Sequence, residues 1–226
     1  MTDRIHTLFG QLFQAHPWHG VDPGPDARGA LLAYLEFLPS DTVKVELDKA
    51  TGILRVDRPQ RYSSLCPMPY GFVPQTFCAE RIAARCMAVT GATGTRGDGD
   101  PLDICVLTER SLPRSDLLVR CIPIGGLRMV DHDEADDKIV AVLEDDAAFG
   151  HLRDLAECPQ GLVDRLRHYF LSYKQIPGDG SRQVEIAEVY GAEEARAVIL
   201  ASQQDYVAHY GEPEARWDAL RSWLKA

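Results

Sequence analysis

Apolar positions along this chain change their spacing twice. Ile5, Leu8, Phe9, Leu12 and Phe13 recur on one face, so residues 2–14 are predicted to form a short amphipathic helix. His16-Pro17-Trp18-His19-Gly20 then opens a Pro/Gly-rich loop running to residue 25, where the two His are expected to pack or hydrogen-bond rather than bind metal. From residue 31 the texture becomes β. Residues 31–38, 43–48, 53–57, 104–107, 117–124 and 138–143 are short, rich in Val, Ile and Leu, and divided by Gly, Pro and Asp turns. Strands at that spacing predict a closed or nearly closed barrel. Lys44 and Glu46 stand two apart in an alternating strand and so share a face, and residues 48–52 read as a hairpin turn. Residues 77–97 break the pattern: the first half is mildly apolar, and Thr90-Gly91-Ala92-Thr93-Gly94-Thr95-Arg96-Gly97 reads as a mobile loop. The last third is helical. Leu162, Leu166, Tyr169, Phe170 and Tyr173 mark one face over residues 160–174, residues 192–209 form a second helix, and Trp217, Leu220, Trp223 and Leu224 suggest a short third one.

A length of 226 residues favours one substantial core over two domains. No apolar run approaches the ~20 residues that span a bilayer, and Met1-Thr2-Asp3-Arg4-Ile5-His6 does not resemble a signal peptide. The expected setting is the cytoplasm, with no membrane partner. Six cysteines without a Cys-x-x-Cys pair are expected to be reduced thiols, several packed in strands, and no structural zinc is expected. The net charge of −10 argues against a nucleic-acid partner, which needs a basic footprint. It does not exclude a phosphate substrate, because bound cations would reverse the local field.

The chemistry concentrates in Asp98-Gly99-Asp100-Pro101-Leu102-Asp103-Ile104, where a tight turn carries three carboxylates into an apolar strand. Hard divalent cations seek such oxygen ligands, yet a turn like this, taken alone, reads equally well as a solvated acidic loop. A second acidic turn, Asp131-His132-Asp133-Glu134-Ala135-Asp136-Asp137-Lys138, joins two further apolar strands. If both turns open from one barrel rim, their carboxylates repel unless cations sit between them. Lys44, Arg58, Lys138 and the Tyr173-Lys174 pair stand beside these strands or at a helix end, suited to phosphoryl oxygens.

These motifs, in this order, resemble the family I inorganic pyrophosphatases. Asp98-Gly-Asp-Pro-Leu-Asp-Ile matches the family signature Asp-x-Asp-Pro-x-Asp followed by an apolar residue. Leu35-Glu36-Phe37-Leu38-Pro39 and Val43-Lys44-Val45-Glu46-Leu47-Asp48 look like its first two active-site strands, Val56-Asp57-Arg58 supplies its arginine and Tyr70-Gly71 its tyrosine. Asp131, Asp136 and Lys138 match its second acidic turn, and His168-Tyr169-Phe170 leads to its Tyr173-Lys174 pair.

The resemblance implies an α+β fold with a mainly β core, a five-stranded OB-like closed barrel with flanking α-helices, and hydrolysis of pyrophosphate to two orthophosphates. It implies several Mg²⁺ ions, with Mn²⁺, Zn²⁺ or Co²⁺ as substitutes. Asp98, Asp103 and Asp136 would hold the tightest ion, with Asp103 bridging to a second. Glu46 and Asp131 would help hold further ions, and Glu36 would act through ordered water. Asp100 would be the general base, while Lys44, Arg58, Tyr70, Lys138, Tyr173 and Lys174 would hold phosphate. A homo-oligomer is implied, commonly a hexamer. Relative to the compact members, residues 1–25, 77–97 and 211–226 read as an N-terminal extension, an inserted loop and a C-terminal extension of a single 1–226 domain. Cys66 stands where the family usually has a tyrosine. A nucleotide-hydrolysing relative would need a base pocket, for which no aromatic or Gly-rich motif is visible. A noncatalytic OB-like module would need a basic-aromatic stripe, and an EF-hand would need a different loop ending in Glu.

Overall fold

The computed structural model describes residues 14–25, 29–175 and 184–212, together with Ala215 and Ser222. Five strands close into a ring: β1 (Leu31–Phe37), β4 (Tyr70–Phe72), β6 (Asp103–Leu107), β9 (Lys138–Leu143) and β7 (Leu117–Asp131), with β7 returning to β1. All neighbours in the ring are antiparallel except β6 and β9, which run parallel. The hairpin of β2 (Val43–Leu47) and β3 (Leu54–Pro59) stands apart as a two-stranded sheet. Its turn is fastened as its residues dictate. The Asp48 carboxylate accepts the Thr51 N–H and hydroxyl, and Gly52 takes the positive φ that the turn requires.

The barrel strands are buried on both faces, which explains their nearly continuous apolar runs. Ile104 and Val106 of β6, with Ile139 and Ala141 of β9, face one apolar cluster; Cys105, Leu107, Val140 and Val142 alternate into another. Helix α1 (Glu80–Thr90) and helix α3 (Ala192–Tyr210) cover the first cluster, and helix α2 (Gln160–Ser172) covers the second. A third cluster, of Trp18, Tyr34, Leu47, Phe72, Phe77 and Tyr206, ties the N-terminal loop to α3. There the His19 ring bonds the Tyr206 hydroxyl at 2.8 Å and the His16 ring accepts the Trp18 N–H at 3.2 Å, the packing role expected of this His pair.

Three differences from the sequence reading emerge. Residues 77–97 are not loop throughout: residues 80–90 form α1, burying Ile82, Ala83 and Cys86, and Arg96–Gly97 forms a short strand β5 parallel to β8 (Glu134–Ala135). The strand beginning at Leu117, read as 117–124 from its spacing and as 117–130 where it leads into the second acidic turn, runs to Asp131, with a register shift between Pro123 and Gly125. A further strand, β10 (Val184–Gly191), pairs with its second half. The predicted N-terminal helix and the predicted third helix around Trp217 lie outside the described residues. All six cysteines are free thiols, five of them buried. Among the described residues, no helix is long and apolar enough to cross a membrane.

Gly71 shows how tightly the ring is drawn. A Cβ there would lie 1.8 Å from the Tyr34 carbonyl oxygen and 2.8 Å from the Leu35 Cα, both on the paired strand β1. Backbone on a neighbouring strand cannot retreat without opening the ring. Gly71→Ala is therefore expected to cost about 3 kcal/mol or more, at or above the usual overpacking range. Urea denaturation read by far-UV circular dichroism would check this.

Candidate active site

Parallel pairing of β6 with β9 sets Asp103 in register with Lys138, the first residue of each strand. The two acidic turns immediately precede these residues, so both are delivered to the same end of the barrel. There they line a cavity of about 200 Å³. Asp98, Asp100, Asp103, Asp131 and Asp136 stand in its wall with Glu134. Lys44 and Arg58 enter from the hairpin, Tyr70 from β4, Lys138 from β9, and Tyr173 and Lys174 from the end of α2. Eleven of the thirteen residues singled out from the sequence thus meet in one cavity. Glu36 and Glu46 do not line it. Glu36 is buried behind it, its carboxylate accepting the Leu47 N–H at 2.8 Å, while Glu46 pairs with Lys44 at 3.3 Å and Arg55 at 2.7 Å on the hairpin. Sequence reasoning missed Glu134, Phe37, Tyr169 and Phe170 as wall residues. Their nearness to named motif residues was the only signal available.

The first turn owes its shape to Gly99, at φ +73°, and to the Asp98 carboxylate, which accepts the Asp100 N–H at 2.9 Å. Burial, followed by the charge of Asp136, pushes the Asp98 carboxyl well above the usual carboxylate range. Lys138 is only 3% exposed and ion-pairs with both Asp103 and Asp136. Burial opposes its charge, but Asp103 and Asp136 outweigh that and hold its ammonium well above the usual lysine range. Its Nζ also lies 5.9 Å from the centre of the Tyr70 ring and 5.8 Å from that of Phe170. Lys174 pairs with Asp131, and Lys49, from the hairpin turn, pairs with Asp100. Lys44 reaches Asp57 at 2.9 Å.

The wall thus carries six carboxylates against four cationic side chains. In this conformation Asp100, Asp103, Asp131 and Asp136 are turned onto lysines, and among the described residues no three His, Cys, Asp or Glu side chains form a ready cage. The donor chemistry nevertheless fits a hard cation. Every acid is an oxygen ligand, the acids outnumber the bases, and the Asp98–Asp136 repulsion is of the kind a cation relieves. No His or Cys lines the cavity to favour a softer metal.

The sequence profile described as "Inorganic pyrophosphatase" matches residues 33–207. An inorganic pyrophosphatase of Chlamydia trachomatis serovar L2 is 46% identical over 196 residues, spanning 85% of this chain and 94% of that protein. A soluble inorganic pyrophosphatase of Oryza sativa subsp. indica is 35% identical, spanning 86% of this chain and 81% of that protein. Among solved structures, the inorganic pyrophosphatase of Thermus thermophilus superposes with a TM-score of 0.69 at 25% identity, over 84% of this chain and 98% of that one. That of Neisseria gonorrhoeae gives 0.68 at 28% identity, over 82% and 96%.

Glu36 supplies a test of the electrostatics behind the cavity. Burial, reinforced by Asp103 and Glu46 and opposed by the Leu47 N–H and Lys44, pushes its carboxyl up to about 8 from an ordinary 4.5. Between those values the folded protein keeps a proton that the unfolded chain releases, so this group's contribution to stability falls as pH rises through the window. With divalent metal chelated, Glu36→Gln is expected to flatten the decline in stability between about pH 4.5 and 8 relative to wild type. Equal slopes in urea titrations across that window would contradict the assignment.

Proposed function

This chain belongs to the family I inorganic pyrophosphatases and hydrolyses inorganic pyrophosphate, and we propose that the cavity at the barrel end is where it does so. The observation that carries this reading is the meeting of Asp98, Asp103 and Asp136 with Lys138 at the start of the parallel β6 and β9, in one cavity with Lys44, Arg58 and Lys174. The acids suit cations, and the bases among them suit phosphoryl oxygens.

Asp98, Asp103 and Asp136 would hold the tightest Mg²⁺, Asp103 serving a second ion as well. Asp131 and Glu46 would help hold the ions that arrive with substrate. Glu36, buried behind β2 and bonded to its backbone, would act through ordered water. When bound, Mg²⁺ would neutralise the phosphoryl oxygens and acidify the attacking water; Mn²⁺, Zn²⁺ or Co²⁺ could substitute.

The remaining steps belong to side chains. Asp100 is half-exposed in the wall, where it pairs with Lys49 and remains open to water, as a general base must be. Lys44, Arg58, Lys138 and Lys174 place fixed positive charge around the phosphoryl oxygens, and Tyr70 and Tyr173 offer hydroxyls. Phosphoryl transfer asks for positioning and charge neutralisation more than covalent work. On binding substrate the lysines exchange carboxylate partners for phosphate oxygens, which orients the electrophile toward Asp100. The products, two orthophosphates, share the charge that held one pyrophosphate, and each is held by fewer of these contacts.

We assign the chain to the cytoplasm and to a homo-oligomer, a hexamer by resemblance. The exposed apolar side chains Ile53, Val56 and Tyr62 on and after the hairpin support self-association.

Phosphate release from pyrophosphate should be rapid with millimolar Mg²⁺ and abolished by EDTA, with ATP a poor substrate in parallel. No release with any divalent metal would end the reading of this cavity. Asp100→Asn should retain fold and calorimetric Mg²⁺ binding while lowering kcat by about 10²- to 10⁴-fold, the range of a lost general base. Near-normal turnover would remove Asp100 from that role. Asp103→Ala should weaken Mg²⁺ binding itself, and an unchanged calorimetric isotherm would refute its double service.

A further inference from the structure

The two acidic turns share a support outside the cavity. Asp205 of α3 is 1% exposed, and its carboxylate accepts N–H groups from Ala79 at 3.1 Å, Arg81 at 3.0 Å and Ile82 at 3.4 Å, together with the Arg81 guanidinium at 2.8 Å. Helix α1 begins after Ala79, which has no capping side chain. Asp205 is therefore its cap, supplied from another helix. The residue before Ala79 grips the first acidic turn from both sides. The Cys78 N–H donates to the Asp100 carbonyl at 2.8 Å, and the Cys78 carbonyl accepts the Gly99 N–H at 3.0 Å. The approach is so close that a Cβ on Gly97 would lie 2.2 Å from the Cys78 oxygen.

Near its other end, α3 holds the second turn. Glu194 pairs with Arg85 of α1 at 2.5 Å and with Arg128 of β7. Arg128 is 1% exposed, pairs with Glu188 of β10 at 2.5 Å, and sets its Nε 3.6 Å from the Asp137 carboxylate. Asp137 also accepts the Tyr190 hydroxyl at 2.8 Å, and its chain neighbours are Asp136 and Lys138. None of Asp205, Glu194, Arg128 and Asp137 lines the cavity.

We propose that α3 is a two-point brace: through Asp205 at one end and Glu194 with Arg128 at the other, it fixes the separation of the two acidic turns and so sets the affinity of the cavity for Mg²⁺. These are positioning residues, and the proposal rests on the reading of the cavity as a Mg²⁺ site. Like-charged turns drift apart unless restrained, and Mg²⁺ tolerates little departure from octahedral geometry. Supporting contacts behind ligating side chains commonly change metal affinity by about 10- to 100-fold. A brace also has a signature that independent supports lack. Once one end is released α3 no longer spans the two turns, which are then held only by the short β5–β8 pairing and the start of β6 and β9, so releasing the other end adds little.

Mg²⁺ binding to the full chain would be measured by isothermal titration calorimetry for wild type, Asp205→Asn, Glu194→Gln and the double variant, alongside thermal melting and pyrophosphate turnover. Each single variant is expected to weaken Mg²⁺ binding by about fivefold or more, in the direction of known supporting-contact effects. The double variant should lose little beyond the weaker single, and kcat at saturating Mg²⁺ should stay within about twofold of wild type, because the groups touching substrate are intact. Lowered melting temperatures with unchanged affinity would reduce these residues to general structure and overturn the brace. So would fully multiplicative losses in the double variant. Glu194 is partly exposed, so its variant keeps the test open if Asp205→Asn folds poorly. Wild-type protein that binds no Mg²⁺ would overturn the site reading and the brace together, whereas normal wild-type binding with unaltered variants would overturn the brace alone.

Discussion

One adjacency governs this molecule: Asp103 beside Lys138 at the start of two parallel strands. Parallel neighbours cannot be joined by a tight turn. The chain between them therefore makes an excursion, and that excursion contains β7, the strand that closes the ring against β1. Closing the barrel and bringing the acidic turns together are consequences of the same connection. Antiparallel pairing of β6 and β9 would have sent the two turns to opposite ends of the sheet.

Much of this was legible because it is written locally. The spacing of Asp98, Asp100 and Asp103 fits a turn entering a strand, and the cluster from Asp131 to Lys138 falls between two apolar strands that pair as a hairpin; that both turns share a rim depends on the parallel β6–β9 pairing, which no local pattern announces. The same logic says nothing about depth. Glu36 and Lys44 both follow from the strand motifs, yet one is buried behind the cavity and the other lines it. Helix α1 escaped notice for a definite reason. Its cap is Asp205, more than a hundred residues away, so Ala79 offers no capping side chain and Glu80 in the first turn is a weak signal by itself. Strand β10 does alternate, with Val184 and Ile186 against Glu185, but it runs into α3 without an intervening turn.

Charge is distributed in two tiers. Inside the cavity, lysines lie directly on the acids, Lys138 on Asp103 and Asp136 and Lys174 on Asp131. Behind it, Arg128 is nearly sealed from solvent among Asp137, Glu188 and Glu194. Burying such a cluster costs desolvation that hydrophobic replacements would avoid. Its return is geometric: charged partners with fixed forks and carboxylates hold position in a way that interchangeable apolar side chains do not.

The lysines on the cavity acids have a consequence for the life of the protein before it ever turns over. Lys138 bridges Asp103 and Asp136, Lys174 covers Asp131, and Lys49 covers Asp100. The chain carries its own counter-ions, so folding does not wait for metal, unlike domains whose core is assembled around an ion. If this cavity is a cation site, loading would be an exchange: an arriving cation takes a carboxylate from its lysine, and the displaced ammonium stays in the cavity wall, available to an anion.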